Sequence, residues 1–475
     1  MFRMHQRPET TSGDPGKTPI PDKGDLPYRI ARGAFPFAIL ILPVLKDGPL
    51  DIDLETWKLL CVGALFFLTL QDRSPVFSKS PYTHVVFLVA SGIAATLVSY
   101  GLSPRQSLGT PLTQSYLTSS LFFLVTLKVF KTSMLRTAVR SIILLTIGVC
   151  FVAFAQYATI FFKLDYPLLL RMLPPEARTF YFDLGNSLNE MGVRLPSVFF
   201  HANQLGHVLS LSFGFLFPFF LTSRSNRDRF VYLFVLVMIG ACTLLTLSRG
   251  ALFVMAVEFT VVLFLYRKTV SKNPMLLVGL SVLLAFSMFA LLGNVESFLG
   301  RFFSSGLSYR DTLGAYALQL IPEYFLFGVG PGCSSFEILT RFPLVNYSTL
   351  LDSYYIGFGF DRWSSAPHNY YLTTLLEGGV FTLFFRLLLY WLIFRRGIML
   401  IRRIRREPYR SFAIAVTVPL GSEFLRGFFD SYSFLASMES GALVAVFLAI
   451  LLFIDTGKGA ALKRNDVAKR ASRLS

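Results

Sequence analysis

Charge is scarce in this chain: Asp, Glu, Lys and Arg make up 15% of its 475 residues, while apolar residues make up 53%. A soluble domain of ordinary composition carries about a quarter charged residues, so a soluble enzyme is excluded. Cysteine is scarcer still. With four in the whole chain, a disulfide scaffold is excluded. Cys61, Cys150 and Cys242 fall inside apolar blocks, and Cys333 alone falls in a segment expected outside the membrane, which leaves no external disulfide or thiolate metal site. HExxH, an acidic cluster of metal-binding spacing, a Gly-rich phosphate loop and a GxSxG elbow are also missing. Their absence withdraws support from ATP-driven transport and serine-hydrolase chemistry.

What the chain has instead is apolar blocks of membrane-spanning length. A helix needs about 20 mostly apolar residues to cross a hydrocarbon core of roughly 30 Å. Twelve blocks qualify, at 30–45, 57–70, 82–100, 112–130, 141–162, 203–222, 230–247, 250–266, 274–293, 370–394, 411–428 and 436–454, the first two being short. They are continuously apolar and do not alternate, which excludes a β-barrel. The expected fold is an all-α polytopic membrane protein of about twelve transmembrane helices.

The distribution of cations orients it. With both termini inside, and each span-end cation counted with its nearer loop, 31 of the 45 Lys and Arg fall inside and 13 outside, leaving Arg386 within span ten. Cationic loops stay cytoplasmic, so this bias predicts both termini in the cytoplasm. The net charge of +17 is then a property of loops facing an anionic leaflet, and no aromatic-basic pattern calls for nucleic acid.

The predicted organisation follows in order. Residues 1–29 form a polar cytoplasmic tail without the apolar core of a signal peptide, and 30–162 hold spans one to five. An external loop covers 163–202, and spans six to nine cover 203–293. A large external loop covers 294–369, spans ten to twelve cover 370–454, and 455–475 form a basic cytoplasmic tail. Long structured loops usually carry function. The larger one contains a helical signal, because Thr312 to Ile321 places Leu313, Ala317, Leu320 and Ile321 on one face before Pro322. This loop is expected to form a helical cap on the membrane domain.

Four patterns flank the two loops: Arg194 through His201-Ala202-Asn203-Gln204-Leu205-Gly206 leading into span six; Ser248-Arg249-Gly250-Ala251 in a tight hairpin; Ser308-Tyr309-Arg310-Asp311 with the later Gly328-Val329-Gly330-Pro331-Gly332 turn; and Pro367-His368-Asn369-Tyr370-Tyr371 with Glu377 and Gly378. Taken singly, each has a plain reading. Arg249 can be a snorkelling residue at a span end, Arg310 a solvated partner of Asp311, His368 a hydrogen-bonding loop residue, and the glycines backbone punctuation. Taken together they make a constellation. Arginine forks hold phosphate oxygens, and an imidazole accepts a proton near neutral pH. Such a set suits glycosyl transfer from a lipid diphosphate without a metal. Arg386 stands apart; facing the bundle interior, its candidate partners are a lipid phosphate or Glu423.

From about Arg194 to Gly378 the chain resembles the bacterial O-antigen ligase and Wzy-type polysaccharide polymerase superfamily. The resemblance rests on FHANQLG, SRGA, SYRDTLGAYALQLIPEYFLFGVGPG and HNYYLTTLLEGG, in that order and on the external side. It implies an inverting, metal-independent glycosyltransferase of a bacterial inner membrane, with no cofactor and with its site facing the periplasm. The implied donor is a glycan on undecaprenyl diphosphate, and the implied acceptor is lipid A-core or a second carrier-linked glycan. A flippase or a chain-length regulator is a candidate partner. Arg249 and Arg310 match the arginines that contact the donor diphosphate, and His368 matches the histidine that activates the acceptor hydroxyl or positions the donor. Arg194 and Arg301 are secondary substrate-binding candidates, and Asn203, Asn369 and Glu377 orient the loop around the substrate. Ligase and polymerase both fit. A lipid-linked oligosaccharide flippase remains as a reading of a different class, although transporters usually bind at the midplane and here the midplane offers chiefly Arg386.

Overall fold

The computed structural model describes residues 54–70, 80–130, 134–161, 202–246, 248–270, 310–342, 367–405, 407–430 and 440–457, together with the isolated positions Gly33, Ala34, Ala38, Ser197 and Leu435. Every regular element among them is a helix. In chain order these are α1 (Leu54–Leu70), α2 (Ser80–Leu102), α3 (Gln106–Val129), α4 (Met134–Phe161), α5 (Ala202–Thr222), α6 (Asn226–Leu245), α7 (Arg249–Val270), α8 (Arg310–Leu320), α9 (Ser334–Arg341), α10 (Tyr370–Arg403), α11 (Tyr409–Arg426) and α12 (Gly441–Gly457).

Six of these helices, α2, α4, α5, α6, α7 and α10, are long and apolar enough to cross a membrane, and α1 and α12 are shorter apolar helices. This is the build of a polytopic membrane protein. Ten of the twelve expected spans coincide with described helices. The blocks at 274–293 and, apart from three positions, 30–45 lie outside the described residues, as do 1–29, 458–475 and nearly all of 163–201.

Helix α5 is the centre of the bundle. Its sequence is apolar on every side, the signature of a helix surrounded by protein, and 94% of its membrane-length stretch is buried. It packs on α6, α7 and α11. Its phenylalanines fasten it to three neighbours: Phe217 stacks on Phe259 of α7 at 5.2 Å, Phe219 meets Phe412 of α11 edge-on at 4.8 Å, and Phe215 stacks on Phe447 of α12 at 4.9 Å. Each such pair adds about 0.5–1.5 kcal/mol beyond its burial. A second group, α1 with α3 and α2 with α10, packs beside this core, and α12 bridges to it through α3.

The cap expected before span ten is present as α8 and α9. Leu313, Ala317, Leu320 and Ile321 all point inward, as their spacing predicts, and pack with Val329, Cys333, Ile338 and Leu376 of α10. An exposed set of polar contacts ties its far side, where Arg341 meets Glu337 and Glu323, pairs that water screens and that add little to stability. The Tyr324 hydroxyl donates to Glu337 Oε1 at 2.8 Å, and partial burial together with this bond pushes the phenol up to about 12.

Helix α10 differs from the single span read from sequence. It breaks at Gly379, where the backbone takes φ +70 and ψ −178, and the segment from Phe325 to Gly330 docks into the break. Val329 and Gly330 N–H donate to the carbonyls of Leu376 and Glu377, and Val380 N–H donates to Phe325. Ser99 Oγ of α2 adds a second donor to the Glu377 carbonyl. The break therefore leaves these freed backbone groups satisfied, which a membrane protein requires.

Candidate functional site

Local capping chemistry fixes where two of the four motifs start helices. Thr246 Oγ1 accepts from Ser248 N–H, and Ser248 Oγ accepts from Ala251 N–H at 3.4 Å, so Ser248 caps α7 and Arg249 becomes its first residue. Arg310 is likewise the first residue of α8. Asn369 caps α10, its side-chain oxygen accepting from Tyr371 and Leu372 N–H at 3.0 and 3.1 Å. His368, just before that cap, is half-buried and takes φ +50. This left-handed conformation is uncommon outside glycine and recurs at functional sites.

Packing brings these starts to one end of the bundle. A Cβ on Gly206 of α5 would lie 2.8 Å from the Ala251 side chain, so the FHANQLG and SRGA segments are in direct contact. Residues 427–430, which follow α11, lie between two of the motifs. Gly427 carbonyl accepts from Tyr370 N–H at 2.7 Å, and Phe428 packs on Tyr371 at 4.9 Å. On the other side Phe429 meets Phe253 of α7 at 5.6 Å, and its Cβ lies 3.5 Å from where a Gly250 Cβ would stand. The Arg249 and His368 backbones thus flank a common turn. Gly314 of α8 approaches Leu372 of α10, at 3.9 Å from a built Cβ, which brings the Arg310 helix to the same helix start.

Not every candidate can be followed to its side chain. The side chains of Arg249 and Arg310 are not among those described, and Arg194 and Arg301 lie outside the described residues altogether. Asn203 sits half-buried in the first turn of α5. Glu377 is buried, and its Oε1 accepts from Ser334 Oγ at 2.6 Å, joining the break in α10 to the start of α9. Asn369 and Glu377 therefore hold the cap and the His368 helix in place.

Glu423 is not the partner of Arg386. Arg386 is buried, donates to Thr96 Oγ1 at 3.1 Å and lies over the Tyr116 ring at 4.0 Å. It lines a small cavity of about 20 Å³ with Thr96, Thr373, Thr382, Glu377 and Pro331, room for about one water. Glu423 instead bonds His207 at 2.6 Å and lies 3.8 Å from Arg426. The pairing differs because Arg386 follows the α10 break toward α2 and α3, whereas Glu423 faces α5.

Sequence reasoning passed over the residues beneath the turn: His207, Glu258, Arg426 and Asp430. Arg426 counted as a loop cation, yet it is buried, and Glu258 is fully buried. The available signal was the rarity of acidic residues inside apolar blocks, since an intramembrane carboxylate is expensive and seldom idle. No group of three His, Cys, Asp or Glu side chains that could hold a metal occurs among the described residues.

Residues 233–387 match the family model for O-antigen ligase. The match supports the O-antigen ligase superfamily. It spans the SRGA hairpin, the α8–α9 cap and the first half of α10; α7 and α10 meet the turn after α11, and the cap packs on α10. No curated protein matches the chain. The match over residues 233–387 and the apolar helices together support a membrane protein with an O-antigen ligase-like region.

Proposed function

We propose that the protein is an O-antigen ligase-like glycan transferase that moves a polysaccharide or repeat unit from undecaprenyl diphosphate to lipid A-core or another carrier-linked glycan. The site faces the periplasm of a bacterial inner membrane. One observation carries this reading: inside the O-antigen ligase match, Arg249 and Arg310 each open a helix, and both helices pack against the structure that holds His368. A helix N-terminus is already electropositive, so a cation in its first turn is disfavoured by about 0.3–1 kcal/mol until an anion binds there. Two such positions beside one histidine suit a diphosphate.

In the proposed reaction the acceptor hydroxyl oxygen attacks the anomeric carbon of the donor from the face opposite the diphosphate. The carbon–oxygen bond to the diphosphate breaks, and the leaving group departs with the electron pair, its charge held by the Arg249 and Arg310 guanidinium groups. His368 takes the hydroxyl proton, so the configuration inverts and the atoms balance without a metal. Wzy-type polymerisation uses the same step with a second repeat unit as acceptor.

The second reading is a lipid-linked oligosaccharide transporter, favoured by the break in α10 and the polar cavity beside Arg386, since transporters bind on broken helices. The two separate cleanly in one assay. Purified wild type, Arg249→Ala, Arg310→Ala and His368→Ala are reconstituted with an undecaprenyl-diphosphate glycan and either acceptor, with EDTA present. Transfer by wild type and a loss of about a hundredfold or more in each variant are expected, the size of effect that follows removal of one charge-stabilising donor. Full activity in the variants refutes the site, and movement of the donor across the bilayer without a new glycosidic bond selects the transporter.

A further inference from the structure

Beneath the turn that separates the Arg249 and His368 helix starts lies a buried ionic network drawn from four parts of the bundle. Arg426, near the end of α11, donates from Nη2 to Ser210 Oγ of α5 at 2.9 Å, and its Nη1 lies 3.5 Å from Asp430 Oδ2 at the end of the turn. One helical turn back, Glu423 Oε1 lies 3.8 Å from Arg426 Nε and 2.6 Å from His207 Nε2. The other ring nitrogen of His207 lies 3.0 Å from Ser440 Oγ, just before α12. Both histidine contacts are met together when Nε2 carries the proton and donates to Glu423 while Nδ1 accepts from the Ser440 hydroxyl. Beside this chain Ser422 Oγ donates to Glu258 of α7 at 2.5 Å. His207, Glu258, Glu423 and Arg426 are each at most 2% exposed.

Such a network is not needed for stability. Well-packed apolar side chains of similar volume often serve as well as a buried ion pair or better, because desolvation offsets much of the Coulombic gain. What ions supply that apolar contacts do not is direction: a guanidinium fork fixes the groups on either side of it. Here one side of Arg426 is Ser210 in the central helix, and the other is Asp430 at the end of the turn. Between Arg426 and Asp430 lies Gly427, whose carbonyl accepts the Tyr370 amide at 2.7 Å, and Phe429, which lies against Phe253 and Gly250.

We propose that His207, Glu423 and Arg426 are positioning residues: anchored on α5 and on Ser440, they hold the 427–430 turn as a spacer that sets the His368 helix start against the Arg249 helix start. This rests on the reading of the site given above. None of the three touches substrate. Their effect is on how often the two helix starts stand at reacting distance, so loss of the fork lowers turnover and leaves donor affinity nearly unchanged.

The test uses the full-length protein in lipid nanodiscs, with Arg426→Lys as the principal variant because it keeps the charge and loses the fork. Expected are a cooperative unfolding transition like the wild type's, a kcat for glycan transfer about tenfold lower, and a KM for the undecaprenyl-diphosphate glycan within about twofold. Hydrogen exchange in peptides covering 367–373 and 427–430 accelerates, while exchange in α5 and α8 does not. Ser210→Ala removes a single hydroxyl and serves if the lysine variant fails to fold, with a drop of about threefold in kcat expected. Wild-type turnover and wild-type exchange at 367–373 in a folded variant overturn the inference, as does a loss confined to KM. The exchange readout needs no turnover, so it still decides if His368→Ala proves fully active and the reading of the site fails instead.

Discussion

Replacing Gly379 by alanine tests the break in α10 most directly. The residue sits at φ +70 and ψ −178, a region essentially reserved for glycine, and holding alanine there costs about 1–3 kcal/mol. Its Cβ would also stand 2.1 Å from the Leu326 carbonyl oxygen, too close for any contact. The Phe325–Gly330 segment must then move off, with the three backbone hydrogen bonds that dock it: Val329 to Leu376, Gly330 to Glu377 and Val380 to Phe325. At about 1 kcal/mol each these bonds supply roughly 3 kcal/mol to docking, which the backbone strain together with the 2.1 Å overlap is enough to offset. The packing of α5 on α6, α7 and α11 does not run through this segment, so that core stays folded. In Gly379→Ala, exchange of the Val329, Gly330 and Val380 amides should accelerate by about a hundredfold or more, and glycan transfer should fall with it. Gly314→Ala is the control, since its Cβ meets nothing nearer than 3.9 Å and helical alanine is favoured over glycine by about 1 kcal/mol. Unchanged exchange at Val329 and Gly330 in Gly379→Ala, measured by mass spectrometry on the folded protein, refutes the account of the break.

Two further outcomes are expected. Asn369→Ala removes the oxygen that accepts two amides at the start of α10 and should cost about 0.5–2 kcal/mol; because His368 precedes the cap, transfer should fall while thermal unfolding of the bundle shifts by only a few degrees. Arg386→Met and Glu423→Leu should separate in unfolding titrations. Arg386 touches Thr96 and Tyr116 and forms no ion pair with a carboxylate among the described residues, so its loss strands no described ion, whereas removing Glu423 leaves Arg426 without its closest buried carboxylate at a cost of about 3–5 kcal/mol. Equal destabilisation by the two would contradict the assigned pairings.

The membrane class, the positions of ten helices and the amphipathic helix of the cap were readable from the chain alone, because each depends on local spacing of apolar residues over one or a few turns. Leu313, Ala317, Leu320 and Ile321 show this well: a period near 3.6 says which face is buried without saying against what. The candidate motifs were legible for a similar reason, since Ser248 and Asn369 cap whichever helix follows them. Only the tertiary structure decided the rest. The EGG of α10 reads as an ordinary stretch of span until another segment supplies donors for the carbonyls that a break exposes, and that segment lies about fifty residues earlier in the sequence. Arg386 and Glu423 look like partners on a helix diagram, yet α10 turns one toward α2 and α3 while α11 turns the other toward His207. Arg426 counts as a loop cation by position and is a buried one in the fold. Partnerships of charge depend on which helix faces arrive together, and pattern along a chain carries no record of that.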